Sequence, residues 1–361
     1  MCKRIFANQT SDQGDVPFFK IGTIGGTPDA YISKDLFEEY RAKYNYPRKG
    51  EVMITCAGTV GKTIVFDGED AYFQDSNIVW LSNPKQLYIN PFLNYVLSRV
   101  NWNKLNSTTI TRIYNDNLRE LVINFPTVKE QEKVVALLSI LDKRIAIQNK
   151  VIEDLITLEK EIINHVFKTL NKVSQPLSII SERVTARNTN ALCNNVLTIS
   201  ARDGLISQLD FFNKSVASHN LSNYILLKKG DFAYNKSYSA DHPWGAIKHL
   251  EIYEEGVLSP LYFCFRPLKD HIDTEYLQLY FETDLWHKHI SDISVEGARN
   301  HGLLNMSVGD FMALPVPVPE LNIQHDIARS LKSLRNKKSN ERKYREFLLR
   351  QKTYLLSHLF L

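Results

Sequence analysis

The chain repeats itself. The stretch LRELVINFPTVKEQEKVVALLSILDKRIAIQNKVIEDLITLEKEIINHVF (118–167) lies over FMALPVPVPELNIQHDIARSLKSLRNKKSNERKYREFLLRQKTYLLSHLF (311–360) without a gap. Ten of the 50 aligned positions are identical, where chance would give about three. They are Leu121/Leu314, Pro126/Pro319, Gln131/Gln324, Leu138/Leu331, Leu141/Leu334, Lys150/Lys343, Glu153/Glu346, Leu155/Leu348, His165/His358 and Phe167/Phe360. Weaker echoes lie upstream: RKGEVMIT (48–55) beside KKGDFAYN (228–235), and FFKIGTIGG (18–26) beside VLTISARDG (196–204). A chain duplicated in this way is built from two similar halves, each a β-rich globular part, a proline and a long helix.

Pro126 and Pro319 stand just ahead of the periodic segments, where a missing backbone N–H costs nothing. In the first segment Leu138, Leu141, Ile145, Ile152, Leu155, Ile162 and Val166 follow a heptad seam, interrupted at Gln148 and Glu159. In the second, Ile327, Leu331, Leu334, Tyr344, Leu348, Leu355 and Leu359 mark the apolar face. Their charges differ. Residues 326–352 hold ten basic and three acidic side chains, whereas 129–168 hold seven of each. A helix of some 40 residues is a rod of about 60 Å that cannot bury its stripe alone. The other copy is the nearest partner. The expected fold is therefore α+β: two β-rich domains separated by two long helices packed as an antiparallel coiled coil, with a pseudo-twofold internal repeat. The expected division is 1–125, 126–170, 171–318 and 319–361.

One stretch invites a different reading. ITCAGTVGKTIVF (54–66) holds Gly61, Lys62 and Thr63, the second half of a phosphate-binding loop. Cys56 stands where the first glycine belongs, and β-branched and aromatic residues follow where a helix should open. The other half keeps Gly245 but no Gly-Lys-Ser/Thr. A structural hairpin tolerates that loss; a triphosphate site does not.

With 361 residues the chain has room for two or three domains. A net charge of +4 permits a nucleic-acid partner without demanding one. Cys2, Cys56, Cys193 and Cys264 are scattered singly, as expected of reduced thiols in a cytoplasmic protein. No apolar run approaches the roughly 18 residues of a membrane span, and no signal peptide is visible. MCKRIF enters structure almost at once, which suggests that a short leading piece is missing.

The arrangement resembles the specificity subunit of type I restriction–modification systems over essentially the whole chain. The resemblance is carried by the P-x-x-x-E-Q lead-in (Pro126, Glu130, Gln131) after LVINFP, and by its return as LPVPVPELNIQHDIA. Paired KGE and KGD turns (Lys49-Gly50-Glu51, Lys229-Gly230-Asp231) and GTVGK add to it. The second copy departs in having Ile323 where the first has Glu130, which weakens its motif. The resemblance implies two target recognition domains, each reading half of a bipartite site in double-stranded DNA. It implies spacer helices that set the gap between half-sites and dock two methyltransferase (modification) subunits, with restriction/translocase subunits joining them. It implies a non-catalytic chain, with S-adenosylmethionine, ATP and Mg on the partner subunits only.

The residues agree with that implication. INPF (Asn90-Pro91-Phe92) is one proline short of an adenine-methyltransferase motif and reads as a helix start. Glu51, Asp67 and Lys62 can be assembled into a nuclease-like triplet only as any charged domain allows. His287 and His289 point to different helix faces, so no metal is expected. Two polar loops ahead of the helices suit DNA contact, offering Asn106, Ser107, Thr109 and Arg112 in one half and Arg299, Asn300 and His301 in the other. Lys20, Lys62, Arg202, Asn235, Lys236 and Tyr238 are further candidates on hairpins. His242 and Trp244 offer a readout loop, but a Trp beside Pro and Gly more often packs in a core or a turn. Pro126, Glu130, Gln131, Leu138 and Leu141, with Pro319, Gln324, Leu331 and Leu334, are the candidates for the spacer and for subunit docking. The alternatives are a coiled-coil scaffold without sequence preference and a stand-alone DNA-modifying enzyme.

Overall fold

The computed structural model describes the chain apart from residues 75–76, 84–86, 103–111, 171–172, 190–191, 201–203, 213–219, 238–241, 295–303 and 360–361. It divides into two compact units, Met1–Lys150 with Arg342–Leu361, and Val151–Glu341. Each contains one β-rich part and a portion of both long helices.

Unit 1 runs β1 (Val16–Phe19), β2 (Tyr31–Ile32), α1 (Lys34–Lys43), β3 (Val52–Thr55), β4 (Thr63–Val65), β5 (Tyr72–Phe73), β6 (Ile78–Leu81), α2 (Asn90–Ser98), α3 (Asn115–Arg119) and the start of α4 (Val128–Leu170). Two three-stranded sheets form, ordered β2-β1-β5 and β4-β3-β6. All four residues of β3 are buried, because it separates two cores. Side chains alternate along a strand, so Met53 joins Val16, Phe18, Phe37 and Tyr72 on one side. Val52 and Ile54 join Leu93, Leu97 and Trp102 on the other. An unbroken apolar run is what a strand covered on both faces needs.

Unit 2 contains the remainder: β7 (Ser174–Pro176), α5 (Leu177–Ile180), β8 (Ser181–Arg183), β9 (Leu197–Ser200), β10 (Gly204–Ser207), α6 (Gln208–Phe212), β11 (Ile225–Lys228), β12 (Phe232–Asn235), β13 (Ala246–His249), β14 (Glu255–Leu258), β15 (Phe263–Pro267), α7 (Thr274–Phe281), α8 (His287–Ile293), α9 (Val308–Met312), β16 (Pro315–Pro317) and the start of α10 (Leu321–His358). Its main sheet is β13-β12-β15-β8. β12 repeats the role of β3: Phe232 and Tyr234 face one core and Ala233 another.

The same turn precedes both strands. Gly50 and Gly230 adopt φ of +87° and +92°, a left-handed conformation that favours glycine. The N–H of Glu51 donates to Arg48 C=O and that of Asp231 to Lys228 C=O, both at 2.9 Å. Each acid then accepts from the backbone N–H three residues earlier, at 2.9 and 2.8 Å. The KGE and KGD pairs are one turn used twice.

The long helices pack together. In unit 2, Glu159 of α4 meets Arg335 and Lys338 of α10, while the later Ile163 and Phe167 share a core with the earlier Ile327 and Leu331. The two segments are therefore antiparallel. Gln148 and Glu159, read as interruptions of the seam, are buried on it. Past Glu159 the buried positions are Ile163 and Phe167, with Ile162 and Val166 only partly covered. The spacing becomes four residues because α4 there enters the core of unit 2 and no longer packs on α10 alone. Tyr344, expected on the apolar face of α10, is exposed.

Candidate nucleic-acid interface

The GTVGK loop joins β3 to β4 as a hairpin. Thr55 N–H donates to Lys62 C=O at 3.0 Å, and Thr55 Oγ accepts from Lys62 N–H at 3.0 Å. Gly61 has φ +82°, and a Cβ there would lie 2.1 Å from the Trp102 ring. The Lys62 ammonium donates to Ile24 C=O. No helix follows, so there is no phosphate cradle. In unit 2, Gly245 (φ +77°) closes the matching β12–β13 hairpin, where a Cβ would lie 2.0 Å from Asn235 C=O.

Two of the expected DNA contacts come together in unit 1. Lys20 and Arg112 line one open concavity with Arg4, Thr10, Gln74 and Asn77. β1 and β5 run parallel, which brings Lys20 and Gln74 to the same edge at their C-terminal ends. Gln74 N–H donates to Phe19 C=O at 2.9 Å, and its side-chain Oε1 accepts from Ile21 N–H at 3.0 Å, leaving the amide nitrogen as a donor. Lys20 forms an exposed 3.1 Å ion pair with Asp29. The Arg112 guanidinium lies 5.9 Å from the Tyr114 ring centre, and that of Arg4 lies 5.5 Å from Phe6. Cations suited to phosphate and amides suited to base edges thus share one surface. Arg4, Gln74 and Asn77 carried no sequence signal, because each is a single polar residue on a different segment.

In unit 2, Asn235 ends β12 and Lys236 follows it. Asn235 Oδ1 accepts from Ser237 N–H at 3.0 Å, and the Lys236 ammonium lies 4.2 Å from the Phe263 ring centre. Burial lowers the Lys236 pKa. Asn106, Ser107, Thr109, Arg202, Tyr238, Arg299, Asn300 and His301 lie outside the described residues. Trp244 is half-buried against the core, and its C=O accepts from Tyr234 OH at 2.8 Å, so it is turn packing. Asn90-Pro91 opens α2 and Phe92 is buried, so INPF starts a helix. His287 lies 3.5 Å from Asp284 and His289 3.1 Å from Asp310 C=O, separate engagements. Among the described residues no group of acids, histidines and cysteines could hold a metal ion, and no helix is long and apolar enough to cross a membrane.

The repeated glutamines are a joint. Gln131, fully buried, accepts from Ile89 N–H at 2.9 Å and donates to Pro126 C=O at 2.9 Å. Gln324, also fully buried, accepts from Asp273 N–H at 2.8 Å and donates to Pro319 C=O at 2.8 Å and His271 C=O at 3.1 Å. Each ties the start of a long helix to the N-terminus of a short one, α2 or α7. The first lead-in is also capped: Glu130 accepts from Thr127 Oγ and N–H at 2.7 and 2.9 Å, which holds its carboxyl below the usual range. Ile323 cannot do this. Leu138, Leu141 and Leu331 are buried and Leu334 half-buried, whereas Leu137, Ile140 and Ile147 of α4 face outward.

Comparison with known proteins follows this architecture. Residues 1–157 match the type I restriction modification DNA specificity domain. A Haemophilus influenzae protein described as a type I restriction enzyme specificity subunit, S.HindORF215P, is 50% identical over 155 residues. That match spans 43% of this chain and 40% of the relative, less than half of its length. The S subunit of a type I restriction–modification system from M. genitalium shares the fold at TM-score 0.53 and 17% identity, over 100% of this chain and 92% of that one. A chain from a structural study of type I system assembly and conformational transition aligns at TM-score 0.55 and 13% identity, over 95% and 90%. Residues 1–157 therefore match the type I restriction modification DNA specificity domain, and the chain as a whole shares the fold of a solved type I S subunit.

Proposed function

We propose that this chain is the DNA-recognising, non-catalytic subunit of a type I restriction–modification complex in the cytoplasm. The observation that carries the reading is the duplicated unit, in which a β-rich part is tied to a long helix by the same buried glutamine joint. The recognition domains are 1–125 and 171–318, each reading half of a bipartite duplex site. The helical regions 126–170 and 319–361 set the spacing, because two readers of separate groove faces need a stiff element between them. In unit 1 the reading surface is the concavity of Arg4, Lys20, Gln74, Asn77 and Arg112. Two methyltransferase subunits dock on the helices, where Leu137, Ile140 and Ile147 are exposed. Those partners and the restriction subunits supply the chemistry.

The test offers duplexes with randomised positions to the full chain assembled with methyltransferase subunits. Two short motifs at one fixed spacing should be enriched. Asn77→Ala should alter one motif and leave the other. Arg4→Ala should weaken binding across all sequences and lower the salt slope by about one. Binding without sequence preference, or methylation or cleavage by this chain alone, overturns the reading.

A further inference from the structure

In each unit the long helices meet through an ion pair, and the two pairs are related by the repeat with their signs exchanged. In unit 1 the Lys352 ammonium of α10 donates to Asp142 of α4 at 2.5 Å, and Asp142 also accepts from Tyr95 OH at 2.7 Å. In unit 2 Arg335 Nε of α10 donates to Glu159 of α4 at 2.7 Å, and the Lys338 ammonium donates to the same carboxylate. Arg335 also holds Glu282. The ungapped repeat makes Arg335 the counterpart of Asp142, and Lys352 the counterpart of Glu159. One helix thus carries an acid at both positions, and the other carries a base at both.

The apolar seam does not tell the copies apart. Leu138, Leu141 and Leu155 of α4 have identical counterparts in Leu331, Leu334 and Leu348 of α10, and all but Leu334 are buried. A second α4 set in the place of α10, with its repeat register kept, would present the same leucines. It would also set Asp142 of each helix against Glu159 of the other, so that both carboxylates lose their cations. Glu159 is 8% exposed, and a charge held that far from water without an opposite partner is strongly destabilising. Two α10 helices would set Arg335 of each against Lys352 of the other. Either like-with-like pairing opposes equal charges at both places, whereas α4 with α10 joins opposite charges at both.

We propose that Asp142, Glu159, Arg335 and Lys352 form a pairing code, by which the seam of α4 accepts α10 and rejects the α4 of a second copy of the chain. The leucines supply the attraction, and the four charges supply the choice of partner. The code acts while α4 is formed and α10 is not yet folded, when the open seam can meet an α4 of another chain that offers the same leucines. On the function proposed above it keeps two different readers in one complex, because two paired first copies would read one half-site twice. The code itself rests on the helix contacts alone, and its test contains no DNA.

The full chain is unfolded in urea and refolded at rising concentration, and the dimer fraction is read by size-exclusion chromatography with light scattering. Exchanging one pair, Asp142→Lys with Lys352→Asp, keeps opposite charges together in unit 1 but gives each helix one acid and one base, so that each becomes self-complementary. Removing it, Asp142→Asn with Lys352→Gln, loses the native pair without creating self-attraction. The exchanged chain should unfold nearer the wild-type temperature than the neutral chain does, yet refold to about tenfold more dimer than either. General damage to the seam would instead make the least stable chain the most dimeric. A second comparison serves if the exchanged chain fails to fold. Lys352→Asp and Lys352→Gln both lose the native pair, and only Lys352→Asp should raise the dimer fraction, by making α10 self-complementary. A dimer fraction in the exchanged chain no higher than in the wild type, one that merely tracks lost stability, or equal fractions from the two Lys352 variants overturns the proposal.

Discussion

Unit 1 and unit 2 build one plan with different surroundings. Both share the glycine–acid turn, the two-core strand, the hairpin closed by a left-handed glycine, and the glutamine joint. Trp102 and Trp286 also match: each indole N–H donates to a carbonyl five residues earlier, Leu97 or Phe281, at 3.3 and 3.2 Å. Among the described residues the differences fall on the polar groups around the shared parts. Asp231, 1% exposed, holds Arg266 through two hydrogen bonds of 2.7 and 2.8 Å, whereas Ser82 stands at the corresponding position beside Glu51. A duplicated chain can thus keep the joints that attach each β-rich part to its helix while the surroundings diverge.

The hairpin glycines should separate the units most. Gly245→Ala brings a Cβ against the backbone of Asn235, which cannot rotate away, and should destabilise unit 2 by about 3 kcal/mol or more. Gly61→Ala meets the Trp102 side chain, which can shift, and should cost about 2 kcal/mol. Urea unfolding followed by probes in each unit measures both, and equal losses would break the distinction. Next, Asp231→Ala removes two hydrogen bonds from Arg266, leaving it Glu182 at 3.8 Å, together with the turn bond, and should cost about 2 kcal/mol, against about 1 kcal/mol for Glu51→Ala, which loses only the turn bond. The reverse order would show that the turn, not the arginine, dominates.

Removing the joints should act alike in both units. Gln131→Leu and Gln324→Leu each strand a buried N–H and carbonyls, so each should cost about 2 kcal/mol in the same assay. A clear inequality would sink their equivalence. The smallest effect is on pH. The Thr127 hydroxyl, then its backbone N–H, holds the Glu130 carboxyl below its usual range. Its folded pKa is below the unfolded value, so its stabilisation is present above the unfolded pKa and is lost as pH falls through the folded one. Amide exchange in the first turn of α4 should quicken below about pH 4. The first turn of α10, with Ile323 in that place, should lack this response.

Local patterns in the sequence carry their physics with them. Proline then heptads reads as a long helix, and β-branched residues after Gly61-Lys62 read as a strand, because both signals act over a few neighbouring residues. The seam drifted where α4 meets a globular core: Ile163 and Phe167 are buried there because unit 2 surrounds the helix, a fact no heptad count contains. Lys20 and Arg112, both offered by the sequence, line one concavity. Gln74 joins them through the parallel pairing of β1 with β5, and Arg4 and Asn77 from other segments, long-range neighbours that no local pattern announces.

By itself the sequence determined that the chain is a tandem repeat, that each copy ends in a long amphipathic helix, and that the P-loop-like stretch is a hairpin. Only the tertiary structure decided what the repeated glutamines do, which polar residues are buried on the seam, and how β7 and β16 pair across unit 2. The reason is range. Helix period, turn chemistry and repeat identity are properties of neighbouring residues, whereas hydrogen bonds such as Gln324 to Asp273 or Leu177 to Leu314 depend on parts of the chain that meet only on folding.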